Sequence, residues 1–112
     1  MAKKQQRFMV RQGDVLLVQA DSPIDGEREA RDSDGSITLA HGEVTGHRHR
    51  FVVGKDAGEV VASRTARQLT LRQTTALLHE EHTHIDIPGG MRIDLPKQVE
   101  WTDEMEPRQV AD

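Results

Sequence analysis

The 112-residue chain contains no cysteine, and its only aromatic residues are Phe8, Phe51 and Trp101. The absence of cysteine excludes disulfides, thiolate catalysis and every zinc site that uses sulfur ligands. Because aromatic residues make up 3% of the chain and apolar residues 35%, the core has to be built mainly from Val, Leu and Ile. A core of this size is small, so a bound metal ion or an oligomer interface is expected to add stability.

The chain also lacks a long apolar run and an excess of positive charge. Its net charge is −4 with acidic and basic residues interspersed, so we expect no nucleic-acid partner. The basic start MAKKQQR is not followed by the apolar run of about 7–15 residues that a signal peptide needs. Nothing approaches the ~20 apolar residues of a membrane span. We therefore expect a cytoplasmic homo-oligomer without a membrane partner.

Short apolar or alternating runs, separated by Gly, Pro and Asp, predict an all-β protein of seven or eight short strands. The runs are VLLV at 15–18, SITLA at 36–40, EVTGHRHRFVV at 43–53, EVVASRT at 59–65, RQLTLRQ at 67–73, TTALL at 74–78, IDI at 85–87 and MRIDLPKQVEW at 91–101. Residues 21–36 are polar and rich in Asp, Gly and Ser, which predicts a long loop. We predict one domain over residues 1–112, a small antiparallel sandwich or barrel, of which a cupin-like barrel is one form.

Three local features bear on where the strands end. The segment TTALLHEEH is compatible with helix or strand, and we favour a strand through Leu77 and Leu78 with a turn at residues 79–82. Pro96 predicts that the run around it lies at a sheet edge or a bulge. Asp103 and Glu106 have the spacing of a capping box, which predicts one terminal helical turn.

The six histidines fall into two short clusters. These are His41, His47 and His49, followed by His79, His82 and His84. On a strand, His47 and His49 point to the same face with Cβ atoms about 6.5–7 Å apart, and their nitrogens can converge on one ion at about 2.1 Å. The second cluster offers two imidazoles in any local conformation, and we rank His82 before His79 and His84. We predict a mononuclear metal site formed by His47, His49, His79 and His82.

Carboxylates next to the second cluster can take part in its chemistry. A glutamate beside a metal ion can be a ligand or a general base that accepts a proton from metal-bound water. We assign the second role to Glu81 and keep Glu80 and His84 as alternative ligands, while solvated carboxylates are the competing reading. Glu43 can orient a ligand histidine, and His41 is assigned to the surface.

Two familiar metal motifs are excluded by spacing. The zinc-protease pattern His-Glu-x-x-His requires histidine where Thr83 stands. The di-iron pairing Glu-x-x-His can be read from Glu81 to His84, but its required second copy and further glutamates do not occur.

Two resemblances follow from these motifs. The His-x-His pair and the later Pro-Gly turn resemble the cupins, which hold a metal inside a barrel. The chain departs from that pattern because Val53-Gly54 stands where a glutamate is expected and because the later histidines precede the turn. The segments GEVTGHRH, HEEH and QVEW resemble a family of small uncharacterised bacterial and phage proteins over roughly residues 13–112. This resemblance implies that the two clusters belong together, and it implies no activity.

The chain is therefore predicted to be a small metal-binding protein. Nitrogen ligands without sulfur favour Zn²⁺, with Ni²⁺, Fe²⁺ and Mn²⁺ as alternatives. Three imidazoles with an open fourth position would lower the pKa of bound water to about 7, which predicts hydration or hydrolysis of a small molecule, as in carbon dioxide hydration. The alternative is a non-catalytic phage or bacterial accessory protein with a structural or inter-subunit metal site. A third reading leaves the histidines solvated, without a metal.

Overall fold

The regular structure of the chain consists of short β-strands. A computed structural model describes residues 7–41 and 46–97, with the backbone of residues 99–101 and 107–109. The strands are β1 (Met9–Gln12), β2 (Val15–Gln19), β3 (Glu27–Arg28), β4 (Ile37–His41), β5 (Arg48–Phe51), β6 (Gly58–Ala62), β7 (Arg67–Leu71), β8 (Thr75–Leu77), β9 (Ile85–Ile87), β10 (Arg92–Asp94), β11 (Val99–Trp101) and β12 (Pro107–Gln109). These ranges contain no helix, and so none long and apolar enough to cross a membrane. The predicted all-β class is confirmed.

The strands form a sandwich-like arrangement of antiparallel sheets. The first layer is a six-stranded sheet in the order β1-β2-β10-β7-β6-β3. The second layer contains the hairpins β4–β5 and β8–β9. Reciprocal backbone hydrogen bonds of 2.9 and 2.8 Å between Arg50 and Leu78 join these two hairpins. The β11–β12 hairpin pairs separately.

The core is aliphatic, with one phenylalanine. The hydrophobic side chains with no exposed surface are Leu17, Leu69, Leu77, Ile87, Ile93 and Phe51. They come from both layers, and burying each contributes on the order of 1.5–3 kcal/mol. Alternation along β5 buries His49 as well as Phe51, because residues two apart on a strand share a face. A histidine therefore occupies a core-facing position.

Three local predictions of the sequence analysis can be compared with the strands. The predicted polar loop at 21–36 contains the two-residue strand β3. The strand-then-turn interpretation of TTALLHEEH is confirmed, since β8 ends at Leu77 and residues 78–84 connect it to β9. The edge position predicted from Pro96 is wrong for its neighbouring strand, because β10 lies between β2 and β7. Pro96 follows the end of β10, so its missing N–H removes no hydrogen bond from the sheet. The motif residues 42–45, with Glu43, and the turn predicted at 103–106 lie outside the described residues.

Candidate metal centre

The two histidine clusters meet beside the β1–β2 turn. The ring centroids of His49 and His79 are 4.2 Å apart, those of His79 and His82 are 4.5 Å apart, and those of His49 and His82 are 5.7 Å apart. One candidate ligand nitrogen from each of the three rings lies within 4.8 Å of the other two. Three imidazoles from two distant segments therefore face one small volume.

Gln12 determines which nitrogen of His49 carries a proton. The Gln12 amide Nε2 donates to the carbonyl oxygens of Leu77, at 2.8 Å, and Thr83, at 3.1 Å. Its Oε1 therefore faces Nδ1 of His49, at 2.8 Å, as an acceptor. Nδ1 of His49 must be the donor in that contact, so the lone pair of the neutral ring is on Nε2. The same amide holds both ends of the loop that carries His79 and His82.

Burial keeps the His49 ring neutral. Only 1% of the residue is exposed. Desolvation lowers the pKa of His49, and the nearby rings of His79 and His82 lower it further, whereas Asp14 opposes the shift. A neutral imidazole is the form that binds a metal ion.

The Nε2 atom of His49 faces a second acceptor. Oδ1 of Asp14 lies 3.3 Å from it, and the Asp14 side chain is 18% exposed. Both atoms are shielded from solvent, and neither has a hydrogen-bond partner among the described residues. Buried polar atoms are ordinarily satisfied, so this pair indicates a position for a proton or a cation.

The β1–β2 turn carries Asp14 and lies against the His82 ring at Gly13. Gln12 pairs with Val15, which leaves a two-residue loop with Gly13 at φ +58°. Glycine is favoured at such a position because it has no Cβ. A Cβ on Gly13 would lie 2.5 Å from Nε2 of His82, closer than such atoms can approach. Because Gly13 has no side chain, the His82 ring can pack against the backbone of this turn.

His79 makes a hydrogen bond that competes with metal binding. The backbone N–H of Glu81 donates to its Nδ1 at 3.0 Å. A neutral imidazole has one lone pair, so the proton of His79 is then on Nε2. Binding a metal through either nitrogen would remove the Glu81 hydrogen bond, because the lone pair can serve only one of the two.

His47 and the two glutamates form a second, more exposed group. His47, His79 and Glu80 also offer ligand atoms within 4.8 Å of one another. His47 Nδ1 lies 3.3 Å from Oε1 of Glu81, whose side chain is 63% exposed. The structure thus places Glu81, the predicted proton acceptor, against His47 rather than within the group of three histidines.

Glu80 attaches the 78–84 loop to β5. Its carboxylate accepts the backbone N–H of Arg48 at 2.9 Å and the Arg50 guanidinium at 3.2 Å. The Arg48 hydrogen bond is the main cause that lowers the pKa of Glu80. Its oxygens are therefore already engaged, although it remains within reach of His47 and His79.

The remaining histidines lie apart from these groups. His41 Nε2 is 3.2 Å from a carboxylate oxygen of Asp32 on the surface. His84 is exposed and belongs to neither group of candidate ligands among the described residues.

Residues 11–92 match the family described as Domain of unknown function (DUF8820). The chain belongs to this family. The matched range includes both histidine clusters and the β1–β2 turn. No curated protein and no solved structure matches the chain.

Sequence reasoning did not assign a role in the site to Gln12, Gly13 and Asp14. In the sequence, Gly13-Asp14 before the apolar run at 15–18 indicates only a turn that precedes a strand. A Gly-Asp pair between two short strands is a hairpin signal, and it could have placed Gln12 and Asp14 together at one end of the sheet. Their approach to His49 depends on how the two layers pack.

Proposed function

We propose that this chain is a metal-binding protein whose histidine cluster, with His49 and His79 buried and His82 exposed, holds one divalent transition-metal ion, with Zn²⁺ as the first candidate. The observation that carries the proposal is the Nε2 atom of His49. Its lone pair is buried, it has no donor among the described residues, and the His49 ring lies beside the rings of His79 and His82. Leaving such an atom unsatisfied is unfavourable, and a cation would satisfy it.

The imidazole ligands, and the hydrogen bond that orients one of them, suit a transition-metal ion. Imidazoles suit Zn²⁺, Ni²⁺ and Fe²⁺, and Mn²⁺ is also compatible when carboxylates contribute. The Gln12 hydrogen bond to Nδ1 of His49 is the kind of outer contact that orients metal-binding histidines. From the residues predicted by sequence, we retain His49, His82 and His79 as ligands and place His47 beside them, next to Glu81.

The direct test is the metal content of the full chain, produced without a polyhistidine tag. We expect about one equivalent of Zn²⁺ by elemental analysis, with most of it lost in His49→Ala and His82→Ala. His41→Ala and His84→Ala are matched controls that remove exposed histidines and should retain the metal. Equal loss in all four variants would indicate nonspecific surface binding and contradict the proposal.

The catalytic version of the proposal adds water activation. An ion with an open position would lower the pKa of its bound water. We assign the acceptance of the proton to Glu81, which lies 3.3 Å from His47, whose ring centroid is 5.7 Å from that of His79. This version predicts metal-dependent hydration of carbon dioxide or hydrolysis of small esters, with a lower rate in Glu81→Gln. The non-catalytic alternative predicts that chelation unfolds the protein or separates its subunits while neither reaction is detected.

A further inference from the structure

Among the residues that the structure describes, Asp14 is the carboxylate that lies against the buried lone pair of His49. The separation of 3.3 Å between its Oδ1 and Nε2 of His49 would suit a hydrogen bond only if one of the atoms carried a proton. Gln12 requires the proton of the neutral ring to be on Nδ1, so two acceptors face each other. Both are shielded from solvent, and their mutual repulsion is therefore poorly screened.

The distance between Oδ1 of Asp14 and Nε2 of His49 matches the distance between two ligand atoms of one zinc ion. Two ligands at about 2.0–2.1 Å from a tetrahedral zinc ion are about 3.3–3.4 Å apart. The Asp14–His49 separation has this value without any movement. A candidate nitrogen from each of the three imidazoles lies within 4.8 Å of the other two, and Asp14 is not part of that group, so binding all four donors requires the β1–β2 turn and the 78–84 loop to move closer together.

We propose that Asp14 is a ligand of the bound ion, so that the site combines histidine nitrogens with one carboxylate oxygen. This inference rests on the proposed metal-binding function and specifies its coordination. Gly13 allows His82 to approach the turn that carries Asp14, so these two donors share one side of the site. The ion would connect the first layer, through Asp14, to the second layer, through His49.

The competing explanation is an ion pair between Asp14 and a doubly protonated His49. The two explanations predict opposite effects of Asp14→Asn on the metal-free chain. If Asp14 is a ligand, the substitution removes a buried charge that faces an acceptor, and the new amide can donate to Nε2 of His49. If Asp14 is an ion-pair partner, the substitution removes an attraction and destabilises the chain.

The first experiment measures thermal unfolding of the full-length wild type and Asp14→Asn, with EDTA and with saturating Zn²⁺. We expect Asp14→Asn to have the higher Tm in EDTA and the wild type to have the higher Tm with Zn²⁺. A lower Tm for Asp14→Asn under both conditions, with an equal gain from Zn²⁺ in both proteins, would overturn the inference.

The second experiment measures Zn²⁺ affinity by calorimetry and the visible absorption of the Co²⁺-loaded protein. We expect Asp14→Asn to reduce the affinity by about 100-fold or more, because even outer-contact changes reduce it by about 10–100-fold. The Co²⁺ bands should shift, since an oxygen ligand is lost. Asp56→Asn, which makes the same charge change in an exposed turn, is the control and should match the wild type.

The outcomes separate this inference from the proposed function. Wild-type affinity and an unchanged Co²⁺ spectrum in Asp14→Asn would exclude Asp14 as a ligand and leave the histidine site standing. Failure of the wild type itself to bind Zn²⁺ or Co²⁺ would contradict the metal site as a whole.

Discussion

At the scale of single residues, the protonation state of each imidazole decides what the cluster can bind. His49 presents its lone pair because Gln12 accepts from its Nδ1. His79 has its lone pair on Nδ1, where it accepts the Glu81 N–H. The two neighbouring imidazoles therefore have their lone pairs on different nitrogens. The Gln12 side chain fixes the lone pair of His49 on Nε2, and the Glu81 backbone N–H fixes that of His79 on Nδ1.

The His79 hydrogen bond gives a prediction for the backbone of Glu81. If Zn²⁺ binds His79 through either nitrogen, the Glu81 N–H loses its acceptor. We expect its amide hydrogen exchange to accelerate and its proton resonance to shift when Zn²⁺ is added, as measured by NMR. The Ser63 amide, which donates to the carbonyl oxygen of Ala66 in a turn that carries no histidine, is an internal control and should change little.

An unchanged Glu81 amide in the zinc-loaded protein would show that His79 is not a ligand. The ion would then be held by His49 and His82 together with any carboxylate ligand. A position for water would remain open, which favours the catalytic version of the proposed function.

At the scale of the elements, the site is assembled from one hairpin turn, one strand and one loop. The β1–β2 turn supplies Gln12 and Asp14, β5 supplies His49, and the 78–84 loop supplies His79 and His82. Gln12 connects all three elements, because its amide contacts both ends of the loop as well as His49. A change in the turn should therefore affect metal binding as well as stability.

A comparison of Gly13→Ala with Gly35→Ala separates the effect on metal binding from the effect on stability. Both glycines have positive φ, at +58° and +87°, so alanine at either position should cost about 1–2 kcal/mol of folding stability. Only Gly13 is close to a site residue, since a Cβ on Gly35 would meet nothing within 4 Å. We expect Gly13→Ala also to displace His82 and weaken Zn²⁺ binding, as measured by calorimetry. Equal Zn²⁺ affinity in the two variants would show that His82 does not need its position against the turn.

At the scale of the whole molecule, a bound ion would connect the two layers of a sandwich with a small core. Asp14 follows β1 in the first layer, and His49 lies on β5 in the second. An ion between them would act as the stabilising element that a short chain without disulfides needs. If Asp14 and three imidazoles all bind, four protein ligands close the site, which favours the structural reading.

The stability of the metal-free chain should depend on pH through His49. Burial lowers the pKa of this ring from 6.5 in the folded state, so the unfolded chain binds a proton that the folded chain excludes. We expect full stability above about pH 6.5 and a decline as the pH falls towards the folded pKa, with a slope of at most about 1.4 kcal/mol per pH unit. Urea unfolding in EDTA at several pH values measures this slope of the unfolding free energy.

The matched variant is His49→Gln, which removes the titrating group and should flatten the slope below about pH 6.5. The carboxylates of Asp32 and Asp34, on the opposite side of β5 from His49, do not contribute to the slope above about pH 4. Thr38 and Arg48 lower the pKa of Asp32, and Arg48 and Ser36 lower that of Asp34. These groups therefore add stability that is lost only as the pH falls below about 4. An equal slope in wild type and His49→Gln would exclude His49 as its source.

The amino-acid sequence by itself determined the local features of this protein. Alternating apolar residues and Gly, Pro and Asp breaks predicted the all-β class, because the two-residue period of a strand is a property of the backbone. The absence of cysteine excluded thiolate metal ligands. The same period predicted that His47 and His49 share a face, but not that His49 would be in the core and His47 nearer the solvent.

Only the tertiary structure decided which polar groups surround His49. Gln12 is 37 residues away in sequence, and its second contact, with Leu77, spans 65 residues. No local pattern encodes such contacts, because they depend on how two layers pack and on which backbone carbonyls are left to be satisfied. Asp14 reads in sequence as an ordinary turn residue, and it reaches the histidines because the first layer closes over the second.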